Sequence, residues 1–484
     1  MNFVMRNKAG NFVKLALAFA IGAGACIWNV GGLNKAAAAD PEVRFVAAAN
    51  EHSLAYRDGK LFVWGDSYYG QLGTGDQRSI VATTTIDLSA VKSVKSVSTS
   101  PFFTIIVNED GQLWEMGNNR TGQLGKSTEM ATVWYSPALN LNFDGIKVKQ
   151  AAAGVDHALA LSEAGKVYIW GNDTSKLTTW RDMHIPREVV MPRGVTVKSV
   201  ATGWNTSYAI ATNGDLYAWG LNNAFLNSQS PDGSPNWLSK PTKVGGIAKV
   251  KQVVSAQFHS AALTDDGSVY QWGVNSCNNE YVYDKTPKKV VFPNNVKLKS
   301  VAVGNKHSLA IDTEGRLYAW GSYEANVYGQ CSLTPVLLTT LNNVIDIAGG
   351  YGHTIAMKAD GSLWGWGYNV HREVGDGSNT MRYNPVLVHD GPPVKPTGLT
   401  LKYSSEGVTV KWNPVNTGAL YRVLWKRTDA DDYFQAETSG TTLTLAKSYF
   451  DVDKNYEFRV MVADDGESLQ SEKSTPFFGI PNRS

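Results

Sequence analysis

Short apolar runs alternate with glycine-centred turns along most of this chain, and one arrangement of them recurs. A run such as Ser300-Val301-Ala302-Val303-Gly304 leads to His307, then to small apolar residues, then to a turn, and then to an alternating strand that closes on Trp-Gly. That dipeptide stands at Trp64-Gly65, Trp170-Gly171, Trp219-Gly220, Trp272-Gly273, Trp320-Gly321 and Trp366-Gly367, with Met116-Gly117 in the one gap. The seven glycines are separated by 52, 54, 49, 53, 48 and 46 residues, so the unit is fixed in kind and its loops absorb the variation. The turns are Asp58-Gly59, Asp110-Gly111, Ala164-Gly165, Asn213-Gly214, Asp266-Gly267, Glu314-Gly315 and Asp360-Gly361. Most are Asp-Gly or Asn-Gly, which predicts hairpins with positive φ at both central positions.

A hairpin of this kind cannot bury both faces alone, and no helical period separates the units. Small sheets stacked radially solve the problem, so the fold class expected is all-β: a seven-bladed β-propeller over residues 43–390, followed by a β-sandwich. The propeller stretch opens inside a unit at Arg44-Phe45-Val46 and ends after Pro385-Val386-Leu387. The two ends are therefore expected to share one blade and close the ring, which would remove the exposed sheet edges.

Composition supports this class. Of the 484 residues 43% are apolar and 18% charged, with 46 glycines, as suits strands joined by many tight turns. Arg6, Lys8 and Lys14 precede an apolar run from Leu15 to about Trp28, and Ala37-Ala38-Ala39 offers a cleavage site before Asp40. Residues 1–39 thus read as a signal peptide and place the protein outside the cell, secreted or at the surface, with no membrane insertion after cleavage. An uncleaved anchor is disfavoured by Gly22, Gly24, Asn29, Gly31 and Gly32, and a lipidated Cys26 by the lack of a large aliphatic residue three positions before it. Cleavage leaves 41 basic and 43 acidic residues without a basic run, so nucleic acid is not an expected partner. Cys277 and Cys331 then remain; the sequence leaves open whether they bridge, and two free packed thiols are the default expectation.

The units resemble the regulator of chromosome condensation repeat, whose pattern runs from a glycine and a histidine through a glycine turn to Trp-Gly and a Gly-Gln-Leu-Gly loop. Gly70-Gln71-Leu72-Gly73 and Gly122-Gln123-Leu124-Gly125 match that loop, while Ala224-Phe225-Leu226-Asn227 and Asn279-Glu280-Tyr281 keep little of it. Within this family the secreted propeller-type β-lactamase inhibitors are most similar in compartment and repeat number. From Val394 the chain resembles a fibronectin type III domain over residues 394–484, with Trp412 in an early strand, Tyr421–Trp425 in the next and Tyr456–Val460 in a later one. Tyr456 would be the corner tyrosine, with Leu443 and Leu445 packed before it.

Residues with chemical potential carry little chemistry in this setting. His52, His157, His259, His307 and His353 share one repeat position, which distributes them around a ring instead of gathering them at a metal, and each is expected to bond backbone groups of adjacent strands. Those histidines and Trp64, Trp170, Trp219, Trp272, Trp320 and Trp366 are thus structural. Gly65-Asp66-Ser67 lacks an esterase setting, Gly125-Lys126-Ser127 lacks the upstream glycine of a phosphate loop, and no zinc spacing occurs. The expectation is a binding protein with no enzymatic activity, metal or cofactor. The two positions before the repeat histidine occupy the same loop of every blade, and there Phe102, Trp204, Phe258 and Tyr351 are expected to form a broken aromatic ring interleaved with Glu51, Asp156 and Lys306. A second tier follows Trp-Gly, at Asp66, Tyr68, Tyr69, Asn119, Arg120, Asn222, Phe225, Tyr323, Tyr368 and Asn369. An extracellular protein is the first partner expected, through one face of the propeller as an inhibitor or adhesion module. Cell-wall or extracellular carbohydrate, stacked on Trp204 and Tyr351, is the alternative. Nucleotide exchange on a nuclear GTPase fits neither export nor the missing basic arm, and ultraviolet sensing would need several loop tryptophans where only Trp204 stands.

Overall fold

The structure is a computed structural model that describes residues 44–126, 133–172, 184–221, 237–277, 280–321, 331–390, 398–413, 421–430, 433–451 and 454–462. The signal-peptide reading of residues 1–39 lies outside these residues. Among the described residues, seven four-stranded antiparallel sheets follow one another, each built from four consecutive strands. The first comprises β1 (Phe45–Ala48), β2 (His52–Arg57), β3 (Lys60–Gly65) and β4 (Ile80–Thr85); the last comprises β25 (Val344–Gly349), β26 (His353–Lys358), β27 (Leu363–Gly367) and β28 (Arg382–His389). The first strands of successive sheets pack on one another all the way round, β25 against β1 included. The inner strands are buried on both faces, as β2 is throughout, while the outermost are half-exposed, as in β4.

Every blade is complete in itself, so the expectation that the chain ends share a blade is corrected. The strand before each histidine belongs to the same repeat as the Trp-Gly strand, and β28 pairs with β27 while β1 pairs with β2. Nothing is left over to be shared. Closure rests on bonds between the last blade and the first: the Val46 amide donates to Asp346 Oδ2 (2.7 Å), and the Tyr351 amide to the Asn50 carbonyl (3.2 Å).

The hairpin turns also differ from expectation in one respect. Only Asp58-Gly59 takes positive φ at both central positions (52° and 75°). In the other six, of which the turn at Gly111 is typical, the glycine alone is left-handed (φ 77°); its amide bonds the Asn108 carbonyl at 3.0 Å, and the Asn108 amide bonds the Gln112 carbonyl at 3.1 Å. This is a three-residue loop with a left-handed glycine in the bulge, which explains why Ala164 and Glu314 are tolerated before it. The glycine of Trp-Gly is fixed for two reasons. Gly273 has φ 99°, and a Cβ there would lie 2.5 Å from the Phe258 carbonyl oxygen, so an added side chain meets both strain and backbone.

Beyond the ring, the described residues form two three-stranded sheets that face each other: β29 (Thr400–Ser404), β30 (Gly407–Lys411) and β33 (Thr442–Ala446), and β31 (Tyr421–Arg427), β32 (Phe434–Thr438) and β34 (Tyr456–Val462). Trp412, Tyr421, Trp425, Leu445, Tyr456 and Phe458 fill the core between them, with Leu443 packed against it. The Asp451 amide donates to the Tyr456 hydroxyl at 2.8 Å, the bond expected of a tyrosine at such a corner.

Candidate functional site

The loop before each repeat histidine reaches the ring axis, and the seven loops meet there as a collar. They enclose only about 20 Å³, room for a single water, so the collar is a shallow surface. Its lining includes Asn50, Pro101, Val155, Trp204, Gln257 and Asn305, the first of the two loop positions in each of six blades. Bonds between neighbouring loops stiffen it: the Val155 amide to the Trp204 carbonyl (2.9 Å), the Asn305 amide to the Gly350 carbonyl (3.1 Å), and Asn305 Nδ2 to Gln257 Oε1 (3.2 Å).

The expected ring is therefore split by position. Trp204 lines the collar, half-buried, whereas Glu51, Phe102, Asp156, Phe258 and Lys306 hold the second loop position, outside the collar lining. Tyr351 is 37% exposed and sits 6.4 Å from the Tyr368 ring, edge to face. Phe102 packs edge-on against Tyr69 at 5.0 Å, and Tyr69 in turn against Tyr68, which is 60% exposed. Tyr68, Tyr69 and Tyr368 follow Trp-Gly, so the two tiers of loops lie on one face and interlock. Backbone bonds impose this: the Asp66 amide donates to the Glu51 carbonyl (2.8 Å), Asn118 to Phe102 (2.9 Å), Val274 to Phe258 (2.8 Å) and Tyr368 to Gly352 (2.8 Å). The second-tier asparagines turn inward instead. Asn119 and Asn369 accept the Leu124 and Val374 amides at 3.1 and 2.9 Å within their own loops, while Asn222, Phe225 and Tyr323 lie outside the described residues.

The face carries both charges. Glu51 pairs with His371 across 3.6 Å, and burial pushes the Asp156 carboxyl above its ordinary value against a bond from Asn172. No group of metal-ligating side chains is found among the described residues.

The five histidines are buried and hold blade to blade, but through side chains. Nε2 of His52 meets Thr99 Oγ1 at 2.6 Å, His157 meets Ser207 at 3.1 Å, His259 meets Ser308 at 2.8 Å, His307 meets Thr354 at 3.0 Å and His353 meets Ser53 at 2.8 Å. The Nε2 partners are thus hydroxyls of the next blade, and His259 also bonds the Asn305 and His307 backbone there, as expected. In four of the five the hydroxyl is borne by the residue after the next repeat histidine position; Thr99, in the first seam, instead relays to Thr104 at 2.8 Å. Blade four has Thr206 where a histidine would stand, and Tyr208 supplies the bond, its hydroxyl 3.0 Å from Ser260 Oγ. Burial lowers His52 and His259 to about 4 and His307 and His353 to about 3, so they stay neutral in the fold. The six repeat tryptophans are fully buried, and Trp170 and Trp64 donate back to the preceding blade, to the Gln123 (2.9 Å) and Glu373 (2.8 Å) carbonyls.

Cys277 and Cys331 form a disulfide with Cα atoms 5.4 Å apart, which corrects the default of two free thiols. It ties the end of the strand Val269–Cys277 in blade five to the start of the strand Ser332–Leu338 in blade six. Sequence reasoning also missed the hydroxyl partners, although Ser53, Thr104, Ser207, Ser260, Ser308 and Thr354 all follow the repeat position. It missed one loop as well: Arg372-Glu373-Val374-Gly375 folds as Gly-Gln-Leu-Gly does, with the Gly375 amide on the Arg372 carbonyl at 3.2 Å.

Comparison with known proteins agrees with this geometry. A model of the RCC1-like domain matches residues 92–330, and models of the regulator of chromosome condensation (RCC1) repeat match 58–107 and 344–372. Protein pim1 of Schizosaccharomyces pombe is 29% identical over 239 residues, 48% of this chain and 37% of its own length. The ultraviolet-B receptor of Arabidopsis thaliana is 31% identical over 264 residues, 52% of this chain and 59% of its own. The matched stretch thus spans less than two thirds of these relatives' own length. Among solved structures, Prp20p of Saccharomyces cerevisiae superposes with a TM-score of 0.60 at 22% identity, covering 71% of this chain and 87% of that one. Human WBSCR16 gives 0.61 at 22%, covering 70% and 96%. At that identity the likeness speaks for the fold alone.

Proposed function

This chain belongs to the regulator of chromosome condensation repeat family, and we propose that it is an exported protein-binding scaffold that engages its partner with the collar face of the propeller. The observation that carries the reading is the interlocking of the two loop tiers into one stiffened surface. Trp204 at the axis and the exposed Tyr351 and Tyr68 supply large apolar contacts at low entropic cost, and Glu51 and Lys306 supply charges around them. One protein of the same fold is itself a protein binder: Prp20p, the yeast RCC1, binds Gsp1p and histones and also Kap60. Export is supported by the apolar run after Lys14 and by a bridged cysteine pair, which suits an oxidising compartment. The C-terminal sandwich, with its tyrosine corner, suits a fibronectin type III spacer that holds the propeller away from its attachment. A glycan ligand is the competing reading, and it rests on the same exposed rings.

The test is capture of extracellular proteins by the full chain and by the Trp204→Ala/Tyr351→Ala variant, with equal melting temperatures as the control for folding. A stoichiometric protein complex that weakens at least about tenfold in the variant is expected, the scale of losing a hot-spot residue. An identical set of captured proteins would end the collar reading. Retention of the unaltered chain on isolated polysaccharide, abolished by Trp204→Ala, would replace the protein partner with a glycan.

A further inference from the structure

The seam that closes the ring differs chemically from the others. In blade one the Gln71 side chain accepts the Tyr69 amide at Oε1 (2.9 Å), while its Nε2 donates to Asp66 Oδ2 (3.1 Å) and across to blade two at the Pro101 carbonyl (3.5 Å). Gln123 plays the same part in blade two, accepting the Thr121 amide at 2.9 Å. In blade seven this place is taken by Glu373. Its Oε2 accepts the His371 amide at 2.9 Å, and its backbone carbonyl receives Trp64 Nε1 (2.8 Å) and Ser53 Oγ (2.9 Å) from blade one. Glu373 is fully buried, and Oε1, where glutamine would carry its donating amide, has no hydrogen-bond partner.

A second acid stands in the same seam, at a place where blades three and five carry glutamine and blades two, four and six carry serine. Gln150 and Gln252 each make two bonds to the next blade's first strand, accepting the Val200 and Val301 amides (3.0 and 3.1 Å) and donating to the same residues' carbonyls (3.0 and 2.8 Å). Asp346 occupies that position in blade seven, and a carboxylate can only accept.

We propose that the seam between blades seven and one is a proton-held latch: protonated Glu373 stands in for the glutamine of the loops in blades one and two, and loss of its proton loosens the ring there. A protonated carboxyl has one donor and one acceptor, as the glutamine position requires, whereas a carboxylate would be buried with no counter-charge. The ionisable groups facing it are Glu51 and Asp66 of blade one, both repelling a carboxylate, with His371 on its own loop engaged by Glu51 and His353 of β26 engaged by Ser53. Burial first, then those two acids, push Glu373 up to about 8. The unfolded chain releases this proton near the ordinary 4.5, so the folded form binds the extra proton between the two values. Its stabilising contribution is complete below that window and is lost as the pH rises through about 8.

The experiment is hydrogen exchange of the full chain, corrected for intrinsic rates, between about pH 6 and about pH 9.5, beside the Glu373→Gln variant. Glutamine already fills this place in two blades, so the variant keeps the loop. In the unaltered chain, amides of β1 and β25 are expected to lose at least about tenfold in protection over the range, while the variant stays flat and melts higher at the alkaline end. The same loss in Glu373→Gln, or an equal loss at the seam between blades two and three, would overturn the latch.

Discussion

The seam between blades two and three and the seam between blades six and seven bury the same repeat position with opposite chemistry. At the latter, His307 meets Thr354 through a hydrogen bond 3.0 Å long. At the former, Phe103 replaces the histidine and Ala158 replaces the hydroxyl, both within one apolar cluster. The two residues change together, because a lone imidazole or a lone hydroxyl left in that dry interface would lack its partner. Blade four shows the same rule by another route, since Tyr208 reaches Ser260 from two positions further along its strand. What repeats along this chain is a matched pair spanning two units, of which the single-repeat pattern displays one half.

The largest way to disturb these seams is at the one that is covalently fastened. Cys277→Ser opens a loop of 54 residues and should cost up to about 4 kcal/mol by loop entropy, seen as a lower denaturation midpoint that the unaltered chain reproduces under reductant. An unchanged midpoint would mean that the non-covalent contacts of blades five and six suffice.

The next effect tests the pairing itself. Phe103→His sets an imidazole opposite Ala158 and should destabilise by about 2–3 kcal/mol, with about 1 kcal/mol recovered when Ala158→Ser is added. Ala158→Ser alone should destabilise, so the coupling changes the sign of its effect; additive effects would refute the pair rule. The smallest effect belongs to Tyr208→Phe, about 1 kcal/mol, because Ser260 keeps its 2.8 Å bond to Ser255.

Much of this architecture was readable from local periodicity. Trp-Gly and the glycine turns report left-handed conformations that glycine adopts without strain, so the seven units and the all-β ring followed directly. Closure was misread because complete blades and shared blades contain the same strands; only the pairing of β1 with β2 decides between them. The hydroxyl partners lie in the next blade, 47 to 50 residues from four of the histidines and 300 from His353, and a pattern search within one unit cannot pair them. The collar was half legible: equivalence placed Trp204 and Tyr351 at one height, but Phe102 sits one position further along its loop and finds Tyr69 instead. Glu373 was hidden because Arg372-Glu373-Val374-Gly375 shares a single letter with Gly-Gln-Leu-Gly, while its backbone bonds are those of the loop.

The pairing of blades is tested most directly by acid. His52, His259, His307 and His353 are held neutral at about 3 to 4 in the fold and titrate near 6.5 when unfolded. The unfolded chain therefore binds more protons between those values, and stability falls as the pH drops below about 6.5. Hydrogen exchange of the full chain from about pH 7 to about pH 4.5 should show protection falling at β2 and β26, where histidines carry the seams, and holding in the strand Val148–Ala153, which shares the apolar cluster of Phe103. Loss of protection spread evenly over all seven seams would contradict the account.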